Sequence, residues 1–549
     1  MPDMDLKING SDTTLFAGTF GPGDCHCPLP GSTVSPPVPQ RSVMSIITAR
    51  LLGSGATTRH QRARRAGLRA ALLAAALITP LAAVFAAATP AQAAQTGVTQ
   101  ISSDPYSPDS APAAAHATEV EPDTFAWGST VVAAFQVGRT VTGGASNIGW
   151  ATSTNGGVSW THGFLPSTTP AATPAGPFSA VSDSTVAFDA RDRVWIISWL
   201  GLHESGAVDV MISRSTDGGL TWSNPITVAA TGAPYDKNWT VCDNTPSSPF
   251  YGNCYTEFDA GLMLMSTSRD GGLTWGPPTP TADNARGIGG QPLVQPSGRV
   301  IVPYADRRDG QIRSFSSEDG GLTWTASVEV ATFSTQPIPG LRSALLISAE
   351  INRDGVVYVV WQDNRYEPGG TANDLVMTSS TDGATWSPVA RIPIDPVGAD
   401  VDHFIPGLAV NPTTAGGLTQ LALTYYSETP AGCVGSTCTI QVGFVSSLNN
   451  GRTWSAPQML SDPMQLGWLA PVGARGVMVG DYISTSFLAG RQRAVGVFAS
   501  ASAPSGGLLN EPMFAGLEKV RTGVTAMVND PVQFTGVDSD LSATPPTLP

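Results

Sequence analysis

Short apolar runs, each followed by a polar turn, recur along most of the chain. Val208–Ile212 and Leu262–Met265 are two such runs, and each is followed by Gly-Gly and then by Thr-Trp. An apolar run, a glycine turn and a further strand-forming pair predict a β-hairpin. The composition agrees, because Gly 59, Pro 45 and a charged fraction of only 13% suit an all-β protein with many turns.

Each hairpin is preceded by two further strand candidates. The predicted first strands are Ala117–Trp127, Ser182–Asp189, Asn238–Asp243, Gly290–Gln295, Ala344–Ile351 and Phe404–Asn411. The predicted second strands are Val131–Phe135, Arg193–Trp199, Asn253–Glu257, Val300–Tyr304, Val356–Trp361 and Leu421–Tyr426. A third strand leads into each turn, so each stretch predicts one multi-stranded unit.

The turn has a fixed sequence, Ser-x-Asp-x-Gly-x-Thr-Trp. Complete copies are Ser215–Trp222, Ser268–Trp275 and Ser317–Trp324, copies with Asn in the Asp position are Ser153–Trp160 and Ser447–Trp454, and a copy one residue short is Ser380–Trp386. Asp and Ser side chains can hydrogen-bond nearby backbone groups, and Gly supplies a positive φ. We therefore expect a fold-forming turn, with Thr and Trp beginning the next strand and Trp packing between units.

The copies are spaced by roughly 50 to 70 residues, which is typical of a repeat architecture. A seventh unit without this turn is predicted from Val479–Phe487 and Arg493–Ala499. Phe514–Arg521 and, from the other end of the chain, Gly97–Ser102 could complete it and remove exposed sheet edges. Six units closing without this seventh one are the alternative.

These turns resemble the Asp-box (BNR) repeat of the sialidase superfamily, over roughly residues 100 to 500. The resemblance implies an all-β β-propeller of six Asp-box blades with a seventh closing unit, or alternatively the six-bladed sialidase propeller. In that family each box lies between the third and fourth strands of a blade, on the face away from the active site. The resemblance indicates the fold more specifically than the reaction, because proteins with the same fold can have many different functions.

The N-terminal part of the sequence predicts export. Several arginines precede the apolar stretch Ala70–Ala88, and Ala91–Ala93 fits a small-residue cleavage site, so residues 44–94 are predicted to be a secretory signal peptide. A transmembrane anchor is the alternative. We interpret residues 1–43 as a non-native extension, 95–115 as a flexible linker, 116–530 as the propeller and 531–549 as a flexible tail. The predicted protein is therefore secreted.

Charge and cysteines narrow the possible partners. The formal net charge of −14 argues against nucleic acid, and against a membrane surface once the signal is cleaved. The pairs Cys242 with Cys254 and Cys433 with Cys438 predict two disulfides. A four-thiolate metal site is the alternative, although the spacing matches no common zinc pattern. We predict no metal and no cofactor, and leave Ca²⁺ binding by acidic loops open.

The resemblance also implies a set of site residues. A sialidase binds the substrate carboxylate with about three Arg, uses a Tyr nucleophile with a Glu as its base, and an Asp as acid and base. Arg286–Gln291 and Gly298–Pro303 are similar to one sialidase blade. The substrate-binding candidates are Arg286, Arg342, Arg365 and Arg307. The catalytic candidates are Tyr482 as nucleophile, Glu428 or Glu350 as its base, and Asp236 or Asp402 as acid and base.

The sequence departs from the family pattern in two places. The early Arg of a Phe/Tyr-Arg-Ile-Pro phrase is missing, and Ser343–Ile347 is apolar where the family Glu is expected. Asp363 and Arg365 could equally form a structural ion pair, as could Asp306 and Arg307. Tyr482 could be a packing residue.

The leading hypothesis is a secreted, monomeric, sialidase-like glycoside hydrolase acting on terminal sugars, expected to be acidic, of extracellular glycans. The alternatives are a non-catalytic propeller that binds a glycan or a protein, and another glycosidase or a polysaccharide lyase on the same scaffold.

Overall fold

The computed structural model describes residues 97–106, 114–521 and 523, so the predicted extension, signal peptide and C-terminal tail lie outside the described residues. These residues form an all-β structure with five short 3-10 helices. Among them, no helix has the length and apolar character needed to cross a membrane.

The strands follow the chain in order. They are β1 (Val98–Gln100), β2 (Ala114–Trp127), β3 (Thr130–Thr140), β4 (Ala145–Ser153), β5 (Thr161–Phe164), β6 (Ala180–Asp189), β7 (Val194–Leu202), β8 (Val208–Ser215), β9 (Ile226–Ala229), β10 (Asp236–Cys242), β11 (Cys254–Asp259), β12 (Met263–Ser268), β13 (Thr279–Pro280), β14 (Leu293–Val294), β15 (Val300–Asp306), β16 (Gln311–Ser317), β17 (Val328–Thr332), β18 (Ser348–Ile351), β19 (Val357–Asp363), β20 (Asp374–Ser380), β21 (Ala390–Arg391), β22 (Asp402–Val410), β23 (Leu421–Thr429), β24 (Thr439–Ser447), β25 (Gln458–Met459), β26 (Ala470–Pro471), β27 (Val477–Met478), β28 (Ser484–Phe487), β29 (Arg493–Ala499) and β30 (Met513–Lys519). The 3-10 helices are Pro368–Gly370, Gly416–Leu418, Gly435–Thr437, Leu466–Trp468 and Gly473–Arg475.

Most strands fall into antiparallel sets of four, in which neighbours in the chain are hydrogen-bonded neighbours. Sets 1 to 6 are β2–β5, β6–β9, β10–β13, β14–β17, β18–β21 and β22–β25. Set 7 has the order β28-β29-β30-β1. A single pair, Ala145 with Val181, joins sets 1 and 2 into one larger sheet. The two-stranded ribbon β26–β27 lies between sets 6 and 7 in the chain.

The first strands of the sets contact one another in cyclic order. Strand β2 contacts β6, and the series continues through β10, β14, β18, β22 and β28, which in turn contacts β2. Strand β1 completes set 7, because Val98 lies opposite Gly516 of β30. Residues 97–106, which we expected to belong to a flexible linker, therefore include a paired strand, and Ile101 beside it is fully buried.

The six repeated turns share one hydrogen-bond pattern. In the second set, Ser215 Oγ donates to Asp217 Oδ1 at 2.7 Å and accepts from the Gly219 N–H at 2.9 Å. Asp217 Oδ1 also accepts from the N–H groups of Leu220 and Thr221, each at 3.0 Å. The Ser-to-Asp or Ser-to-Asn bond and the Gly-to-Ser bond recur in all six copies. The predicted fold-forming role of these turns is confirmed.

The fourth strands begin after the Trp, which corrects our expectation that Thr and Trp open them. Strand β9 starts at Ile226, beyond Trp222. The reason is that the N–H and hydroxyl of Thr221 are both bound by the Asp217 carboxylate, so they are not available to a strand ladder. Trp222 instead packs against Trp150 of the preceding set, with ring centroids 6.5 Å apart.

Each turn also packs one glycine, the one whose N–H donates to the Ser of the turn, against the preceding set. A Cβ on Gly219, whose φ is +83°, would lie 2.7 Å from Val132 Cγ2, and the Gly219 carbonyl accepts from Thr152 Oγ1 at 2.6 Å. In the first set, a Cβ on Gly157 would lie 3.0 Å from Val495 Cγ2 of β29. The turn of set 1 therefore contacts set 7, as the turn of set 2 contacts set 1.

The two predicted disulfides are present. Cys242 pairs with Cys254 across β10 and β11, and Cys433 pairs with Cys438 in the connection between β23 and β24. Each links residues that are close in the chain, so each fixes a local connection within one set.

Two substitutions at Asp217 should distinguish how much the hydrogen bonds of the turn and its negative charge each contribute to stability. Asp217→Ala removes an acceptor for two N–H groups and should lower the free energy of unfolding by about 1–2 kcal/mol. Asp217→Asn should lower it much less, because Asn155 Oδ1 accepts from Val158 and Ser159 in the same way. Urea unfolding of the two variants and the wild type measures this, and equal stability of all three would contradict it.

Candidate functional site

The first strands of four sets contain the same local irregularity. Glu121, Asp183, Lys237 and Ile405 have positive φ values of 56°, 47°, 51° and 49°. Each lies where the pairing between first and second strand shifts register. Such a bulge redirects side chains, and a non-glycine residue in this conformation costs about 1–2 kcal/mol. Backbone strain of this kind is concentrated at functional sites, and three of these four bulges carry an ionisable residue.

Three of these residues belong to one group of ionisable side chains, which we call the central cluster. It consists of Glu121, Asp183, Asp236, Lys237, Glu257, Asp259, Arg307, Arg342, Asp481 and Tyr482. The members come from the first strands β2, β6 and β10, from β11, and from the connections after β15 and before β18 and β28. Charges within this group contribute to the pKa shifts of Glu121, Asp236 and Asp481, among others, which is the reason for treating the group as one electrostatic unit.

Lys237 occupies a singular position in the central cluster. Its ammonium Nζ lies 3.3 Å from the centroid of the Tyr482 ring and 3.9 Å from Asp183 Oδ1. The side chain is only 6% exposed, yet no group of the described residues accepts a hydrogen bond from Nζ. The backbone N–H of Lys237 donates to Asp236 Oδ1 at 3.0 Å, which ties these two neighbours together.

The two arginines of the central cluster have defined partners. Arg342 donates to Asp481 Oδ2 in an ion pair, and its backbone N–H donates to the Val477 carbonyl of β27 at 2.8 Å. Burial alone would lower the pKa of Arg342, but the charges of Asp481 and Glu121 raise it. Burial would raise the pKa of Asp481, but Arg342 and Lys237 lower it. Arg307 donates through Nε and Nη2 to the Leu345 carbonyl, at 3.0 and 2.6 Å.

One glycine allows Asp481 to approach β2. A Cβ on Gly480, whose φ is +121°, would lie 2.8 Å from the backbone nitrogen of Glu121. A larger residue at position 480 would therefore separate Asp481 from Glu121.

Several carboxyl groups of the central cluster retain protons at unusually high pH. Burial, followed by the nearby charge of Asp183, raises the pKa of Asp236 to about 7. Burial and the charges of Asp481 and Asp183 raise the pKa of Glu121 to about 8. Burial is also the main cause that raises the pKa values of Glu257 and Asp259 well above their ordinary values. Carboxyl groups of this kind can give up a proton near neutral pH, as general acids do.

Tyr482 lies inside the central cluster with its hydroxyl directed at backbone. The hydroxyl donates to the Ser184 carbonyl at 3.2 Å, and the ring meets Trp239 edge-on at 5.6 Å between centroids. Burial raises the pKa of the phenol well above its ordinary value, and neighbouring carboxylates add to this. Within residues 97–106, 114–521 and 523, no carboxylate hydrogen-bonds this hydroxyl, so the nucleophile role stays a prediction.

The structure brings some of the predicted site residues together and separates others. Tyr482, Asp236, Arg342 and Arg307 all belong to the central cluster. The candidates outside it are Arg286, Arg365, Glu350, Glu428 and Asp402.

These remaining candidates have other surroundings. Arg286 is exposed, and Arg365 is paired with Asp363 at 2.7 Å. Glu428 and Asp402 lie opposite each other on β23 and β22, and burial raises the pKa of both carboxyl groups. Burial also raises the pKa of Glu350 on β18 to about 8. The role of Arg286, Arg342 and Arg365 as a trio that binds a carboxylate stays a prediction.

Sequence reasoning missed Glu121 and Asp183. Both lie inside predicted first strands, where an ionisable residue among buried positions was a usable signal. What the sequence did not signal was the bulge that turns these side chains toward the central cluster.

Two further groups of side chains have metal-ligand geometry. Ligand atoms of Asp374, Asp395 and His403 lie within 4.8 Å of one another. The Arg391 guanidinium, 2.6 Å from Asp374 Oδ1 and 2.8 Å from Asp395 Oδ1, already supplies a positive charge there. The second group is Glu428 with Cys433 and Cys438, whose sulfurs are bonded to each other.

Comparison with known proteins gives a consistent set of matches. Residues 194–404 match a family model described as a BNR repeat-like domain. A sialidase from Bacteroides fragilis (strain YCH46) is 25% identical over 288 residues, which cover 45% of this chain. The match spans about half of that relative, 49% of its length.

Two solved structures are also similar. A protein of unknown function from Dyadobacter fermentans aligns with a TM-score of 0.42 and 14% identity, over 78% of this chain and 98% of that chain. The Hadza microbial sialidase Hz136 aligns with a TM-score of 0.39 and 16% identity, over 75% of this chain and 67% of that chain.

The raised pKa of Glu121 predicts a pH-dependent stability difference. The folded protein keeps a proton on Glu121 up to about pH 8, whereas the unfolded chain releases it near pH ~4.3. The wild type should therefore lose stability as pH rises between these values. Glu121→Gln, which cannot ionise, should match the wild type near pH 4 and exceed it above pH 8 by on the order of 2–4 kcal/mol.

Urea unfolding at three or more pH values across this interval measures the difference. Glu204→Gln is the matched control, because Glu204 is exposed and its replacement should give no pH-dependent difference. Parallel stability profiles for the wild type and Glu121→Gln would reject the predicted protonation.

Proposed function

We propose that this chain, which belongs to the superfamily of Asp-box (BNR) repeat proteins that includes the sialidases, is a secreted glycoside hydrolase. Its substrate is a terminal sugar of an extracellular glycan, and its active site is the central cluster. The sialidase named among its relatives supports the reaction class. The two disulfides support an oxidising, extracellular location.

The scaffold proposed for this function is a seven-bladed propeller. Sets 1 to 7 are its blades, and the cyclic contacts of their first strands support this arrangement. The contact of Gly157 with Val495, which joins the first set to the last, supports closure. In such a scaffold the first strands surround the axis, where side chains from several blades converge on a ligand.

The observation that carries the proposal is the pair Asp236 and Asp183. Glycoside hydrolysis needs a protonated carboxyl group that can give its proton to the leaving oxygen. Asp236 has a pKa of about 7, and hydrogen bonding to Asp183 is among the causes of that rise. We assign Asp236 as the general acid that protonates the leaving oxygen, and Asp183 as the neighbour that keeps Asp236 protonated.

Tyr482 is proposed as the nucleophile of the same site. Lys237 lies over its ring, and a cation in that position would stabilise the negative charge of a phenolate. Its proton acceptor would have to come from the central cluster, because neither Glu350 nor Glu428 hydrogen-bonds the Tyr482 hydroxyl in the described structure. Tyr482→Phe separates this mechanism from one that uses carboxyl groups alone.

Aryl glycoside hydrolysis tests the assignment of Asp236. We expect the full chain to release 4-methylumbelliferone from at least one member of a panel containing the sialoside and neutral glycosides. Asp236→Asn should lower kcat roughly 10²- to 10⁴-fold, the usual contribution of a general acid. The wild-type rate should also fall as pH rises through about 7, because Asp236 must hold its proton to act.

Asp270→Asn is the matched control for this experiment. It makes the same substitution in a repeated turn, where Asn155 and Asn449 occur naturally, and should leave the rate unchanged. Full activity of Asp236→Asn would remove the assignment, and absence of turnover across the panel at high enzyme concentration would remove the hydrolase.

A glycan-binding protein without catalysis is the second candidate. The observation that favours it is that the Tyr482 hydroxyl donates to the Ser184 carbonyl and has no carboxylate as a hydrogen-bond partner among the described residues. Binding to a glycan array without hydrolysis of any bound glycan would establish this alternative.

A further inference from the structure

A buried carboxyl group lies beside one of the two disulfides, away from the central cluster. Glu428 is the last but one residue of β23, and Cys433 is bonded to Cys438 in the connection that follows. One carboxyl oxygen of Glu428 and the two sulfur atoms all lie within 4.8 Å of one another. Both carboxyl oxygens are buried, and neither has a hydrogen-bond partner in the described structure. A buried carboxyl group without a partner is rare and calls for an explanation.

The neighbours of Glu428 in the sheet indicate that it holds a proton. On β24 the residue opposite is the apolar Ile440, and on β22 it is Asp402. Asp402 Oδ1 accepts two hydrogen bonds from Asn373, each at 2.8 Å, whereas the Glu428 oxygens accept none from the described residues. Donors stabilise the ionised form of a carboxyl group, so Asp402 is the carboxylate of this pair. Burial, followed by the charge of Asp402, raises the pKa of Glu428 to about 7.

The two sulfur atoms belong to residues of unequal accessibility. Cys433 is only partly buried and is followed by the exposed residues 434–437, whereas Cys438 is 1% exposed and belongs to an apolar core. In thiol–disulfide exchange a thiolate attacks one sulfur, and the other leaves as a thiolate. Attack at Cys433 would leave the negative charge on the buried sulfur of Cys438, at a high cost in free energy. A proton from Glu428 would remove that cost.

We propose that the Cys433–Cys438 disulfide is a redox-active site that reacts with a low-molecular-weight thiol, with Glu428 as the proton donor to the leaving sulfur. The thiolate of the reagent bonds to Cys433 Sγ, the bond between the two cysteines breaks, and its electron pair passes to Cys438 Sγ. That sulfur takes the proton of Glu428, directly after a small rotation or through one water molecule.

The second half of the reaction completes the electron balance. A second thiolate attacks the reagent sulfur of the mixed disulfide, and Cys433 leaves as a thiolate. The products are two reduced cysteines and one disulfide formed from two reagent molecules, so two electrons have passed to the protein. Glu428 regains its proton from solvent. This activity is independent of the proposed glycoside hydrolase.

Reduction of the folded full chain by glutathione tests the proposal. Free thiols are alkylated at timed intervals, and each cysteine is quantified by peptide mass spectrometry. Cys242–Cys254 is the internal control, because both of its cysteines are buried. We expect Cys433–Cys438 to be reduced faster by about tenfold or more. Equal rates for the two disulfides, or faster reduction of Cys242–Cys254, would overturn the proposal.

Glu428→Gln isolates the proton donor, because glutamine has nearly the same size and holds no acidic proton. Below about pH 7, where Glu428 is protonated, this variant should reduce Cys433–Cys438 more slowly by about tenfold, the lower end of what a positioned proton donor contributes. The control Glu204→Gln replaces an exposed residue and should leave the rate unchanged. A wild-type rate in Glu428→Gln would remove Glu428 from the reaction.

Two single-cysteine variants keep the proposal testable if Glu428→Gln does not fold. With oxidised glutathione, Cys438→Ala should form a mixed disulfide at Cys433 much faster than Cys433→Ala forms one at Cys438. The reason is that only the partly exposed sulfur is the point of attack. Faster reaction at Cys438, or no mixed disulfide in either variant, would contradict the proposed order of steps.

Discussion

The structure depends on how closely one four-stranded set can approach the set before it. That approach is controlled by the glycine of each repeated turn whose N–H donates to the Ser of the turn. At Gly219 the space for a side chain is already taken by Val132, and the carbonyl is bound by Thr152. The Asp or Asn of the turn holds the backbone in the left-handed conformation that places this glycine. The repeated motif therefore has two roles. It forms the turn, and its glycine packs against the preceding set and so fixes the spacing between the two sets.

This spacing explains why so many charges can lie together. Four first strands contain a bulge, and the sets are held tightly enough for strained residues such as Glu121 and Asp183 to persist. Burying a carboxyl group is costly unless it is protonated or paired. The central cluster uses both solutions, protonation at Asp236 and pairing at Asp481. The rigid scaffold keeps these carboxyl groups buried, and burial is the main cause of their raised pKa values.

More of the scaffold than of the candidate site could be predicted from the sequence. Most strands could be predicted from the fixed turns and the apolar runs, and both disulfides from the closeness of the cysteines in the chain. All of these features are local in the sequence. Tyr482, Asp236, Arg342 and Arg307 were placed in one group from their expected positions in connections. Glu121 and Asp183 were missed because a bulge inside a strand has no obligatory residue. The roles of Arg286 and Arg365 stay predictions, since the surroundings of an exposed or ion-paired arginine depend on contacts that no short motif encodes.

The pairing of β1 with β30 has a consequence for how the protein is made. Val98 and Gly516 are neighbours in space although nearly the whole described chain separates them. Contacts between such distant residues form slowly, because the entropy of closing the loop must be overcome first. During synthesis β1 emerges early and must wait, unpaired, for its partner strand. The protein therefore acquires its last set, and with it the fixed positions of Asp481 and Tyr482, only after translation has passed β30, which makes the assembly of the central cluster a late event in folding.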